Sequence, residues 1–184
     1  GVVDIERDVG FRGPPKGAGF RMLAELKKSN VDWRPVSIYD LSPATVGRFD
    51  VVVCGSLLMH LRDPVAALEA VRSVCDGYLL SSEQIELATT LATRRRPLFR
   101  LDGSGKDCQW WVGNAVGHER LLWSGGFAVE RRSRPYAERF NVHPRPSRNL
   151  RNTLRKAAMY LLTGDSTPGV LHRALLARPR LAAS

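Results

Sequence analysis

The run Phe49-Asp50-Val51-Val52-Val53-Cys54 constrains this chain more than any other stretch. Consecutive β-branched residues favour an extended strand, and apolar side chains at both parities predict a parallel strand buried on both faces. A parallel neighbour needs a crossover, and one follows directly. Asp63-Pro64 supplies a cap and a first-position proline, and Val65, Leu68, Val71 and Val74 then form one helical stripe. Tyr78-Leu79-Leu80-Ser81-Ser82 reads as the next strand. Strand, helix and strand in this order predict an α/β fold: a largely parallel sheet with helices on both faces.

The flanking stretches extend the alternation. Val2-Val3-Asp4 reads as the end of a strand, and the Gly- and Pro-rich stretch 10–19 as a loop. Phe20 to Lys28 has helical spacing with basic residues in its last turn. Trp33 to Tyr39 is expected to be a short strand, and Ser42-Pro43 starts one turn of helix. Between Glu83 and Gln109 the pattern weakens to a helix of uncertain length and an exposed loop. Asn114 to Ser124 reads as a helix stopped by Gly125-Gly126, and Phe127 to Arg132 as a strand. Leu150 to Leu162 is an amphipathic helix, and Gly169 to Arg178 a last strand that adds an antiparallel edge. The 184 residues fit a single domain: a core over 1–132, a basic Pro/Arg-rich insertion with a helix over 133–168, and the final strand over 169–178.

Composition narrows the function classes. The longest nearly uncharged apolar run, Val51 to Leu61, covers about 11 residues where a membrane-spanning helix needs roughly 20. No secretion signal is legible at the first residues, so a cytoplasmic protein with no membrane partner is expected. Cys54, Cys75 and Cys108 include no CxxC pair, which predicts reduced, structural thiols and no metal. The net charge of +10 is concentrated from Arg131 onward, where twelve Lys and Arg face only Glu138 and Asp165. Such a tail could attract RNA phosphates. Only five of the 28 basic residues are Lys, however, as a GC-rich coding sequence would produce without any RNA partner.

The stretch Tyr39 to Glu83, "YDLSPATVGRFDVVVCGSLLMHLRDPVAALEAVRSVCDGYLLSSE", resembles the class I S-adenosylmethionine-dependent methyltransferases over their Asp-containing loop, fourth strand, following helix and fifth strand. Leu57-Leu58-Met59-His60-Leu61-Arg62-Asp63-Pro64 is similar to the strand-four exit of the tRNA wobble-uridine carboxymethyltransferase subgroup. Gln109-Trp110-Trp111-Val112-Gly113-Asn114, followed by a helix and Gly125-Gly126-Phe127, also matches what these enzymes place before their sixth strand.

The resemblance implies a Rossmann-like methyltransferase sheet and S-adenosylmethionine as cofactor. Asp4 would bind the ribose diol and Asp40 the adenine amino group, with the backbone of Leu41 beside it. Cys54 and Gly55 would bring backbone close to the methionine moiety. His60 is a candidate general base near neutral pH, or a structural histidine beside Asp63. Trp110 and Trp111 would wall the acceptor pocket or anchor the core, and Tyr136 and His143 would cover it or be ordinary loop residues. The implied acceptor is a small molecule, with a tRNA base as the alternative.

One feature of the family is missing from the sequence. The Gly-rich loop after strand one, which cradles the methionine part of the cofactor, has no counterpart, and residue 1 falls at the end of the family's strand two. A fragment lacking upstream residues is therefore expected, with weak cofactor binding. A non-catalytic remnant is the competing reading. A nicotinamide-dependent oxidoreductase lacks its GxGxxG fingerprint here.

Overall fold

The computed structural model describes residues 17–101, 109–138, 150–163 and 169–180. The valine run forms β1 (Phe49–Gly55), and the Asp63-Pro64 signal opens a helix over Pro64–Val74. Asp63 Oδ1 accepts from the Ala66 amide at 2.9 Å, satisfying a donor that the first turn leaves unpaired. The chain returns as β2 (Cys75–Gln84), which pairs with β1 in parallel, Val51 opposite Tyr78 and Cys54 opposite Ser81.

Numbered along the whole chain, the helices are α1 (Ala18–Lys27), α2 (Pro43–Val46), α3 (Pro64–Val74), α4 (Leu87–Ala92), α5 (Ala115–Ser124) and α6 (Leu150–Thr163). The remaining strands are β3 (Phe99–Leu101), β4 (Trp111–Gly113), β5 (Phe127–Arg132), β6 (Tyr136–Glu138) and β7 (Val170–Pro179). The main sheet runs β1-β2-β7-β5, with β6 also paired to β7. The last strand is antiparallel, as expected, but it lies inside the sheet between β2 and β5. Among the described strands, none pairs with the outer edge of β1.

Register assigns every side chain to a face. Cys54, Leu79, Phe127, Leu175 and Ala177 share one buried cluster with Ala67, Leu68 and Val71 of α3 and Leu121 and Leu122 of α5. Gly125 lets α5 end directly against Leu68, whose side chain a Cβ there would overlap. Among the described residues the opposite face is open at β1 and β2, where Val51 is 57%, Val53 69% and Leu80 38% exposed, while His172 on β7 is fully enclosed. The valine run is therefore covered on one face only among the described residues, because α3 and α5 both pack on the same side.

Two other expectations change. Trp33 to Tyr39 is not a strand: apart from one bridge at Ser37 it runs without regular structure into a 3-10 turn over Ile38–Asp40. Pro35 has no amide to donate, the Val36 amide donates to Arg34 O, and the Ser37 hydroxyl accepts from the Tyr39 amide, so local bonds replace a ladder. The weak region after Glu83 contains α4 and a hairpin, with Phe99 opposite Gly113 and Leu101 opposite Trp111. Buried Asn114 holds that hairpin: its Oδ1 accepts from Leu98 and Gly117, and its Nδ2 donates to Arg96 O. Among the described residues no helix is long and apolar enough to cross a membrane.

Candidate functional site

The C-terminal ends of β1 and β2 carry the site, as the crevice side of an α/β sheet does. After Gly55 the chain turns through Ser56 in a left-handed conformation, φ 50, uncommon for a residue with a Cβ. The Ser56 amide donates to Ser82 O at 2.7 Å, and a 3-10 turn over Leu58–His60 follows. Glu83 fastens this turn from the neighbouring strand, its Oε1 accepting from the amides of Leu57 and Leu58, both at 3.0 Å. Burial dominates over these bonds and pushes the Glu83 carboxyl up to about 7.

The expected site residues fall into connected groups around this turn. His60 ends it and is half-buried, its amide donating to Leu57 O. The Trp110 amide donates to Met59 O at 2.8 Å, and its ring lies under the Arg62 guanidinium, 4.5 Å from the ring centre. Trp111 Nε1 donates to Arg62 O at 3.2 Å, so both tryptophans are tied to the segment that leaves β1. Asp40 and Leu41 lie beside it: the preceding Tyr39 hydroxyl accepts from the Asp63 amide at 3.2 Å. The Asp40 side chain is exposed and forms no ion pair among the described residues, while half-buried Leu41 packs on the core. A Cβ on Gly55 would meet nothing within 4 Å, so there is open space over the strand end. Cys54 points the other way, into the core, where burial raises its thiol to about 12 and removes it from chemistry at neutral pH. Asp4 and His143 lie outside the described residues.

Tyr136 belongs to a cluster that spacing did not reveal. Its hydroxyl is 2.6 Å from Ser82 Oγ, and its ring stacks on His172 with centres 6.0 Å apart. His172 Nδ1 donates to Val170 O, which leaves Nε2 facing Ser56 Oγ at 3.1 Å and Glu138 Oε2 at 3.2 Å. Ser56, Ser82, Tyr136 and His172 all lie on the open face, whereas Glu83 and His118 lie on the covered one. Buried His118 places Nε2 2.9 Å from Ser81 Oγ, and burial, with Arg173 nearby, lowers it to about 3, a neutral imidazole at any ordinary pH. A signal for Glu83 is present in the sequence, as a carboxylate that follows the apolar and small run Tyr78 to Ser82 near the end of β2.

Four of the described basic residues of the tail are engaged within the fold. Glu119 holds Arg132 at 2.8 Å and Arg173 at 3.0 Å, Glu130 holds Arg178, and Arg180 stacks over Trp123. Among the described residues no cluster of side chains could hold a metal ion.

Solved structures share this architecture at low identity. A 1,6-didemethyltoxoflavin-N1-methyltransferase from Burkholderia thailandensis, crystallised with its namesake compound and S-adenosylhomocysteine, matches with TM-score 0.53 and 15% identity over 92% of this chain and 59% of its own. The [4+2]-cyclase SpnF matches with TM-score 0.54 and 16% identity over 88% of this chain and 62% of its own. Magnesium protoporphyrin IX methyltransferase from Synechocystis, with bound SAH, matches with TM-score 0.50 and 15% identity over 90% and 58%. The chain thus spans about three fifths of the length of these proteins. No family model and no curated protein matches the sequence. The likeness establishes a Rossmann-like methyltransferase fold, and because a cyclase shares it, the fold alone leaves the activity open.

Proposed function

We propose that the chain is the cofactor- and acceptor-facing part of an S-adenosylmethionine-dependent methyltransferase acting on a small molecule. The observation that carries this reading is the strand order β1-β2-β7-β5, parallel then antiparallel, with an exposed acid and an open glycine at its C-terminal edge. The two methyltransferases it resembles bear the names of small molecules, and the engagement of Arg132, Arg173, Arg178 and Arg180 inside the fold disfavours a tRNA base.

The residues present fit the adenine end of such a cofactor. The Asp40 carboxylate offers acceptors to an amino group, the Leu41 backbone lies beside it, and Gly55 leaves room for a close approach. When bound, S-adenosylmethionine supplies a methyl group on a positively charged sulfur. The chain's own task is orientation, which accounts for a large share of the barrier in such transfers. Trp110 and Trp111 wall the acceptor, Tyr136 borders it from β6, and His60 takes the proton the acceptor loses. The division into a core, a basic insertion and a final strand belongs to the same reading.

The test is a titration of the chain with S-adenosylhomocysteine followed by amide NMR shifts, which register millimolar binding. Shifts centred on Asp40, Leu41 and Gly55 to His60 are expected, with Asp40→Asn weakening them about tenfold, the worth of a hydrogen bond to a charged group. No shifts at these amides at saturating ligand overturns the reading.

A further inference from the structure

Helix α6 presents a leucine stripe to solvent. Leu150, Leu154 and Leu161 are 75%, 62% and 84% exposed, and at 3.6 residues per turn they fall, with exposed Ala157, within about 60° of one another. The helix rests on β6, and half-buried Asn152 lies on the side opposite the stripe. The leucines therefore stand clear of the sheet. A surface helix of a globular fold normally turns such a stripe inward, so one that points outward marks a surface that meets something apolar.

The charge of α6 is equally one-sided. Its sequence holds Arg151, Arg155 and Lys156 and no acid, and it lies in the stretch from Arg131 onward that carries the whole net charge of +10. Exposed Lys156 and Tyr160 sit beside the stripe, a cation and an amphipathic ring at the border between apolar and polar surface. Leucines and cations together select the occupant. A second copy of the chain would set three cations against three cations, and a nucleic acid would match the charge but leave the leucines in water. An anionic lipid surface answers both: the acyl boundary takes the leucines, the headgroups take the cations, and a fluid bilayer needs no groove shaped to a convex helix.

We propose that α6 lies in the plane of an anionic lipid surface, with Leu150, Leu154 and Leu161 entering the acyl boundary and Lys156 meeting headgroup phosphates. The expectation of no membrane partner rests on the absence of a spanning run, which a helix lying at the surface does not need. This contact is independent of the methyltransferase reading and goes beyond it.

The experiment sediments the whole chain with heavy vesicles of phosphatidylcholine, alone or with about a quarter phosphatidylglycerol, at low and at high salt. Binding to the anionic vesicles at low salt is expected to be at least about tenfold tighter than to the neutral ones, and to weaken as salt rises. Leu154→Gln with Leu161→Gln leaves the charge unchanged and puts a good helix former at two exposed positions, so the fold is kept while binding falls at least about tenfold. Lys156→Gln should cost about fivefold on anionic vesicles alone. No sedimentation with either vesicle, equal binding to both, or an affinity that the double glutamine variant leaves unchanged would each overturn the proposal. So would preferential binding of a single-stranded RNA oligonucleotide over anionic vesicles, or a dimer in solution that the double variant dissolves.

Discussion

The two faces of the sheet are built on opposite terms. On the face under α3 and α5, Leu68, Leu79, Leu122, Phe127 and Leu175 are fully enclosed, and two ionisable side chains, Glu83 and His118, are enclosed with them. On the other face valines and leucines of β1 and β2 meet solvent among the described residues, and the polar residues Ser56, Ser82, Tyr136 and the enclosed His172 are joined to one another. Stability should therefore be sensitive to substitution and to pH on the first face and insensitive on the second.

The largest effect is expected from the two buried titratable groups, whose pH dependences oppose. Glu83 is raised from 4.5 to about 7, so between these values it is protonated in the folded chain and ionised in the unfolded one, and stability falls as pH rises. His118 is lowered from 6.5 to about 3, so across that window it is neutral when folded and charged when unfolded, and stability rises with pH. From pH 4.5 to 6.5 the slopes cancel, each near 1.4 kcal/mol per pH unit. Relative to the wild type, Glu83→Gln should lose about 3 kcal/mol on acidification from pH 6.5 to 4.5, and His118→Phe should gain about as much. Urea unfolding midpoints at three pH values check this, and parallel profiles for all three proteins would break the comparison.

A pair of truncations comes next. Leu68→Ala removes a side chain that touches β-strands, α5 and Gly125, and should cost about 3 kcal/mol through the cavity it leaves. Val53→Ala, at 69% exposure, should cost less than about 0.5 kcal/mol. Denaturant titration measures both, and a costly Val53→Ala would mean that this face is covered in solution.

The same contrast explains what could be read from the amino-acid order. Helix α3 was legible because its information is local: a cap, a first-position proline and a stripe at three- and four-residue spacing. The strand Phe127–Arg132 matched its expected bounds for the same reason. Burial of the valine run on both faces was not borne out, since whether a face is covered depends on elements elsewhere in the chain. Trp33 to Tyr39 has strand-like residues, but a strand also needs a neighbour to pair with. The candidate site divides similarly: the family resemblance singled out His60, Trp110 and Trp111, while Glu83, His118 and His172 acquire their surroundings only from burial and from partners as far as 25 to 116 residues away.

The smallest effects are expected in the polar cluster on the open face. Tyr136→Phe deletes the hydroxyl bonded to Ser82 at a position 38% exposed, where water replaces the lost partner, and should cost about 0.5 to 1 kcal/mol. Ser56→Gly loses the contact to His172 Nε2 but relieves a left-handed residue of its Cβ, two terms of about 1 kcal/mol and opposite sign, so its stability should stay near the wild type. Thermal or urea unfolding of both variants gives the answer. A loss of about 3 kcal/mol in either would place the cluster in the same energetic class as Leu68, and the distinction between a packed face and a self-bonded one would fail.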